Sequence, residues 1–361
     1  MNKGTQATVE PGRHNQWRYG IWIWMGLLSL LVSLWPGGMT PVNAAAATTL
    51  FSSLDQTLST MAPESNFLVA EFKGNTCDAI HGRNADKELA IASTFKLYVL
   101  GELTRQIQLG EASWDERIPL RDDMRSMPSG DYAFAPAGTM VSLKDLASAM
   151  IWNSDNTATD HLIQRLGREN VQRAFARYGH GNDNLNSPLL LTHEMFAIKM
   201  KQPASWMQAY EAANGTERMS MLKRDIDPIR VDPSGGWGQW NGPTAIDGIE
   251  WFASASDLCR AMASLWTMGA QPGLSPVRDI LSGNRFGITD TTVWPRAGYK
   301  GGFESGVVNM TFVLEREDGH VFFVSAGYND PAGLVDTATT RSYLDPLFAC
   351  LGSSAPGFCG T

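Results

Sequence analysis

The sequence predicts an α+β fold: an antiparallel sheet built from both chain ends, an inserted all-helical lobe, and a cleft between the two. Three observations predict it. Residues 66–72 (NFLVAEF) are apolar and β-favouring, and Lys73-Gly74-Asn75 joins them to 76–83 as a hairpin. Near the other end, 308–315 and 321–328 are joined through Glu317-Asp318-Gly319 as a second, clearer hairpin. Between them, residues 93–106, 142–152, 157–166 and 256–266 place apolar residues at helical spacing.

The second helical segment shows the pattern best, with Leu143, Leu146, Met150 and Ile151 on one face. Ser142 stands where an N-cap would, with Asp145 three residues on. Residues 232–243 (DPSGGWGQWNGP) read as a long surface loop, and no internal repeat interrupts the chain. The expected organisation is a segment 1–44 followed by one domain, 45–361. Its sheet lobe takes about 45–90 and 255–361, and its helical lobe about 91–254.

Segment 1–44 reads as an export signal. Lys3, Arg13 and Arg18 precede an apolar run over 19–35, Pro36-Gly37-Gly38 break it, and Val42-Asn43-Ala44 offers a small-residue cleavage site. An uncleaved anchor is the alternative, since the run just reaches spanning length. Either places the folded part outside the cytoplasm, periplasmic or secreted. Four cysteines, Cys77, Cys259, Cys350 and Cys359, allow two disulfides there, with a local Cys350–Cys359 bridge leaving Cys77 for Cys259. There is no Cys-x-x-Cys and no His-x-x-x-His among six histidines, so neither metal nor cofactor is expected. A net charge of −8 without a dense basic run argues against a nucleic-acid partner. A monomer acting on a small molecule is expected, touching a membrane only through an N-terminal anchor.

A serine hydroxyl becomes a useful nucleophile only when a base takes its proton. Ser93-Thr94-Phe95-Lys96 supplies that base one helical turn away, on the same helix face. The pattern is cheap, arising roughly once per few hundred residues by chance. Ser220-Met221-Leu222-Lys223 is a second copy. Only the first is followed by Ser154-Asp155-Asn156 and then Lys300-Gly301-Gly302. Ser-Asp-Asn occurs by chance in about one chain of this length in twenty. Its ordinary reading, an N-cap for the helix near Thr157, is compatible with chemistry.

In that order the three motifs resemble those of class A β-lactamases and penicillin-binding proteins. The likeness spans roughly 66–347 and implies a β-lactamase/transpeptidase-like fold with a serine hydrolase active on β-lactams or related amides and esters. It implies that Ser93 attacks the carbonyl, Lys96 takes its proton and Ser154 passes a proton to the leaving nitrogen. Asn156 would bind the substrate amide, and Lys300 the substrate carboxylate. The backbone N–H groups of Ser93 and Phe303, beside Gly302, would form the oxyanion hole.

Two departures stand out. Gly301 occupies the place of a family Thr, and Glu304 sits just beyond, close to where an anionic substrate would lie. The Glu-x-x-Leu-Asn loop that carries the deacylation base is missing, its nearest match being Asn182-Asp183-Asn184-Leu185-Asn186. Asp183 or Glu194 are the candidate substitutes, although loop and helix-first-turn carboxylates are their ordinary readings. The sequence therefore supports acylation better than turnover. A D-Ala-D-Ala peptidase or transpeptidase shares all three motifs, and a non-enzymatic ligand sensor on the same scaffold is the third reading.

Overall fold

The computed structural model describes residues 44–232 and 242–353. The segment read as an export signal, up to residue 43, most of the Gly/Trp-rich loop and Cys359 lie outside them. In chain order the elements are helix α1 (Ala44–Met61), strands β1 (Glu64–Lys73), β2 (Thr76–Arg83) and β3 (Leu89–Ala90), and helix α2 (Lys96–Gln108). Strands β4 (Arg117–Pro119) and β5 (Met140–Ser142) lead to helices α3 (Leu143–Trp152), α4 (Asn156–Leu166) and α5 (Arg168–Arg177). Helices α6 (Thr192–Lys201), α7 (Ala204–Ala212) and α8 (Gly215–Met221) follow, then strand β6 (Phe252–Ala253) and helices α9 (Ala255–Met268) and α10 (Pro276–Ser282). Strands β7 (Arg296–Glu304), β8 (Val307–Glu315) and β9 (Val321–Asn329) and helix α11 (Thr337–Leu351) complete the chain.

The main sheet is antiparallel throughout, in the order β2-β1-β9-β8-β7. Both expected hairpins form, and β1 pairs with β9, so the two chain ends share one sheet. Alternate residues of each strand face opposite sides, and helices cover both. Phe67, Val69, Phe312 and Val324 pack with Leu54 and Leu58 of α1 and with Leu344 and Phe348 of α11. Leu68, Ala70 and Phe323 pack with the helical core, including Leu258 and Met262 of α9.

Helices α1 and α11 were not foreseen from the sequence. The α1 segment is rich in Ser and Thr, which favour helices weakly, and α11 contains Pro346. Their apolar residues cover the outer face of the sheet, and tertiary burial outweighs poor propensity. The Ser142 cap forms as read: its Oγ accepts the Asp145 N–H at 3.0 Å. Cys77 on β2 is bridged to Cys259 on α9, tying the outermost strand to a central helix. Cys350 is also disulfide-bonded. Among the described residues no helix is long and apolar enough to cross a membrane.

Candidate active site

Helix α2 runs through the helical core, with Leu97, Val99, Leu100 and Leu103 fully buried. A 3-10 turn, Ala92–Phe95, leads into it and carries Ser93. The turn is held on two sides. The Phe95 ring stacks on Trp251 at 3.9 Å, and the Ile91 N–H donates to the Trp251 carbonyl at 2.9 Å. Ala92 adopts φ +44° and Ser154 φ +56°. Such left-handed conformations cost non-glycine residues on the order of 1–3 kcal/mol and concentrate at functional sites.

The three motifs meet at Ser154. Lys96 Nζ donates to Ser154 O at 2.6 Å, to Ser154 Oγ at 3.1 Å and to Asn156 Oδ1 at 2.6 Å. Lys300 Nζ reaches the same Ser154 Oγ at 3.1 Å and also donates to its neighbour Gly301 O. Both lysines are buried, whereas Ser93 and Ser154 are half-buried. Burial brings the Lys96 ammonium down to about 7, against the opposing pull of Asp155 and Asp160. Burial, then the charge of Lys96, holds Lys300 well below the ordinary lysine range. The Ser93 hydroxyl makes no hydrogen bond among the described residues.

The model of the beta-lactamase enzyme family matches residues 62–288, more than half of the chain. The chain belongs to that family. Its fold is also that of solved family structures. A β-lactamase from Sphaerobacter thermophilus superposes with a TM-score of 0.58 at 18% identity, covering 87% of this chain and 99% of that one. PBP-A gives 0.55 at 17%, over 84% and 96%. A class A β-lactamase described as the last common ancestor of Gram-negative bacteria gives 0.54 at 15%, over 82% and 95%. At these identities the likeness is one of fold. No curated protein matches the chain in sequence.

Within this β-lactamase fold, Asp155 is the cap at the start of α4. Its Oδ1 accepts the Ala158 N–H at 2.7 Å, and its Oδ2 accepts the Tyr132 N–H at 3.0 Å. Asn156 is buried, bonded to Lys96 on one side and donating to Met127 O at 3.2 Å on the other, so it holds the lysine in place. Gly302 lies against the Ala92–Phe95 turn: a Cβ there would sit 1.9 Å from Ile91 O and 2.9 Å from Ser93 N. The next residue, Phe303, leaves its ring 40% exposed. A side chain at Gly301 would point the other way, 2.0 Å from the Tyr299 hydroxyl. The second Ser-x-x-Lys is a surface feature, with Ser220 and Lys223 both exposed and Ser220 Oγ donating to Thr216 O.

The candidate deacylation bases fare differently. Glu194 is fully buried, and Arg168 donates to its two oxygens at 2.8 and 2.6 Å. It also accepts the Leu191 N–H at 2.8 Å, the reach-back bond of a helix first turn. Asp183 heads the 3-10 turn Asp183–Asn186, and its side chain lies outside the described residues. Glu304 needs a correction. Far from facing a substrate as a free charge, it bonds Lys199 Nζ at 2.6 Å in a buried cluster with Glu250, itself 2.7 Å from that Nζ. Sequence reading missed Lys199 and Glu250, which lie 105 and 54 residues from Glu304 in the chain with no spacing signal to join them.

One group of metal-type donors comes together among the described residues: Glu88, His180 and Asp257. His180 Nε2 donates to Phe252 O at 2.8 Å, and Nδ1 accepts the Asn182 N–H at 3.0 Å, which engages both ring nitrogens. Asp257 closes the capping box of α9 with Ser254. The group is a packing device.

Proposed function

We propose that this protein is a serine hydrolase that opens β-lactams, or related amides and esters, through an acyl-Ser93 intermediate. The convergence of Lys300 and of Lys96, three residues after Ser93, on Ser154 Oγ carries the reading. Burial leaves Lys96 substantially neutral near pH 7, and a neutral amine is what a serine nucleophile needs as base. Ser154 would relay that proton to the leaving nitrogen. Lys300, whose own charge is disfavoured by burial and by Lys96, would hydrogen-bond the substrate carboxylate. Asn156 would orient Lys96 and offer its remaining amide hydrogen to substrate. The backbone N–H groups of Ser93 and Phe303 would serve as the oxyanion hole, a role supported by the close approach of Gly302 to Ser93 N.

Export is part of the proposal. The charged, apolar and small-residue sections of 1–44 and the Cys77–Cys259 bridge both suit an oxidising compartment. A nitrocefin assay tests the activity: a burst stoichiometric with enzyme is expected, and no colour change in the burst or afterwards contradicts it. Acyl transfer from a cell-wall pentapeptide would use the same groups. PBP-A, a likeness in fold, has been solved as a mutant in acyl-enzyme complex with penicillin G. Release of D-Ala in preference to β-lactam opening would assign the peptidase reading.

A further inference from the structure

Alternate residues of β7 face the nucleophile turn, and three of them line up along it. Lys300 reaches Ser154, Gly302 touches Ser93 N, and Glu304 comes next. Val307, which pairs with Glu304 across the hairpin, packs against Ala92 of the same turn. Glu250 directly precedes Trp251, whose carbonyl and ring hold Ile91 and Phe95. Lys199 of α6 bonds both carboxylates, and all three side chains are at most 1% exposed. The strand that carries Lys300 to Ser154 thus also carries Glu304 to Lys199 and Glu250.

We propose that the Glu250–Glu304 pair, held by Lys199, accepts the proton of the water that hydrolyses the acyl-Ser93 intermediate. This rests on the acyl-serine reading above. One ammonium neutralises one carboxylate, so the buried pair keeps a proton. Burial, then the neighbouring Glu250, holds the Glu304 carboxyl well above the usual range. Glu304 Oε2 accepts from no N–H among the described residues, and the Glu304 and Glu250 carboxyls hydrogen-bond each other through the proton they keep. The other carboxylates around the turn are committed. Asp155 caps α4, Asp160 accepts the Thr192 and His193 N–H groups, and Glu194 is clamped by Arg168.

In the step itself, the water oxygen bonds to the acyl carbon as one of its protons passes to the pair. The carbonyl electron pair moves onto oxygen and returns as the C–Oγ bond breaks. As that bond breaks, one proton leaves the pair and Ser93 Oγ gains one, which returns the pair to its single proton and gives the free acid and the serine alcohol.

The test uses the full chain, nitrocefin for the burst, and intact-mass measurement of adduct decay after benzylpenicillin. For Glu304→Gln and Glu250→Gln the burst rate should stay within about threefold of the parent, while adduct decay slows by about 100-fold or more. Hydroxylamine, which needs no base, should release the adduct at equal rates from variants and parent. Unchanged decay in both variants, a parent adduct that water does not release, or loss of burst and decay together overturns the proposal. Where an amide variant fails to fold, Glu304→Asp decides. Slowed decay with the burst unchanged is expected, and unchanged decay or a lost burst overturns it. No adduct on the parent with any substrate overturns this proposal and the acyl-serine reading alike, whereas an adduct that persists overturns this proposal alone.

Discussion

Lys96 and Lys300 aim at one oxygen, each Nζ lying 3.1 Å from Ser154 Oγ. Two buried ammonium groups sharing an acceptor oppose each other's charge, which favours a neutral amine. A base must be unprotonated to act. The burst rate should therefore rise with pH through about 7 and level off above it. Burial alone lowers Lys96, and its charge acts on Lys300 rather than the reverse, so in Lys300→Ala the midpoint of the remaining activity should stay near 7. Stopped-flow nitrocefin bursts across pH 5–9 check both statements (~5–9 being the range that brackets a group near neutrality).

Gly302 is the point where β7 meets the Ala92–Phe95 turn. Gly302→Ala places a methyl 1.9 Å from a backbone oxygen, which cannot rotate away. The edge strand must shift, at a cost of about 1–3 kcal/mol. Acylation should fall by about 100-fold or more, because displacement by an ångström is enough to spoil reacting geometry. Urea unfolding and burst kinetics on the same variant separate the two effects.

The Glu194 carboxylate serves the fold. Glu194→Gln leaves the Arg168 charge buried beside a weaker partner, and a loss of up to about 3–5 kcal/mol is expected. Its burst-to-decay ratio should match the parent's. A selective loss of decay would instead make Glu194 the deacylation base.

The Cys77–Cys259 bridge closes a loop with a sequence separation of 182 residues. Replacing both cysteines by alanine should lower stability by about 2–5 kcal/mol, chiefly by freeing the unfolded chain. Burst amplitude at 20 °C (a temperature at about which stability peaks for many domains) should be retained, since the bridge lies between β2 and α9, away from Ser93.

The order of Ser93, Ser154 and Lys300 made the cluster legible as far as Lys96 and Lys300 meeting at Ser154, with Ser93 itself on the 3-10 turn before α2. The hairpins were legible through their turns, with Gly74 at φ +68° and Gly319 at φ +86° as the turns require. Helices α1 and α11 were not, because burial against the sheet holds what local propensity would not. The Lys199–Glu250–Glu304 cluster was beyond sequence reasoning for a different cause. Its members come from a helix, a loop before β6 and an edge strand, and only the packed fold brings three such charges together. Glu304 alone was visible, and alone it read as a charge facing the ligand.

Peptide mass mapping after benzylpenicillin treatment tests the central claim most directly. The account predicts one penicilloyl group on the peptide containing Ser93, absent in Ser93→Ala. An adduct on the Ser220 peptide, or none on any serine while the protein stays folded, would contradict it.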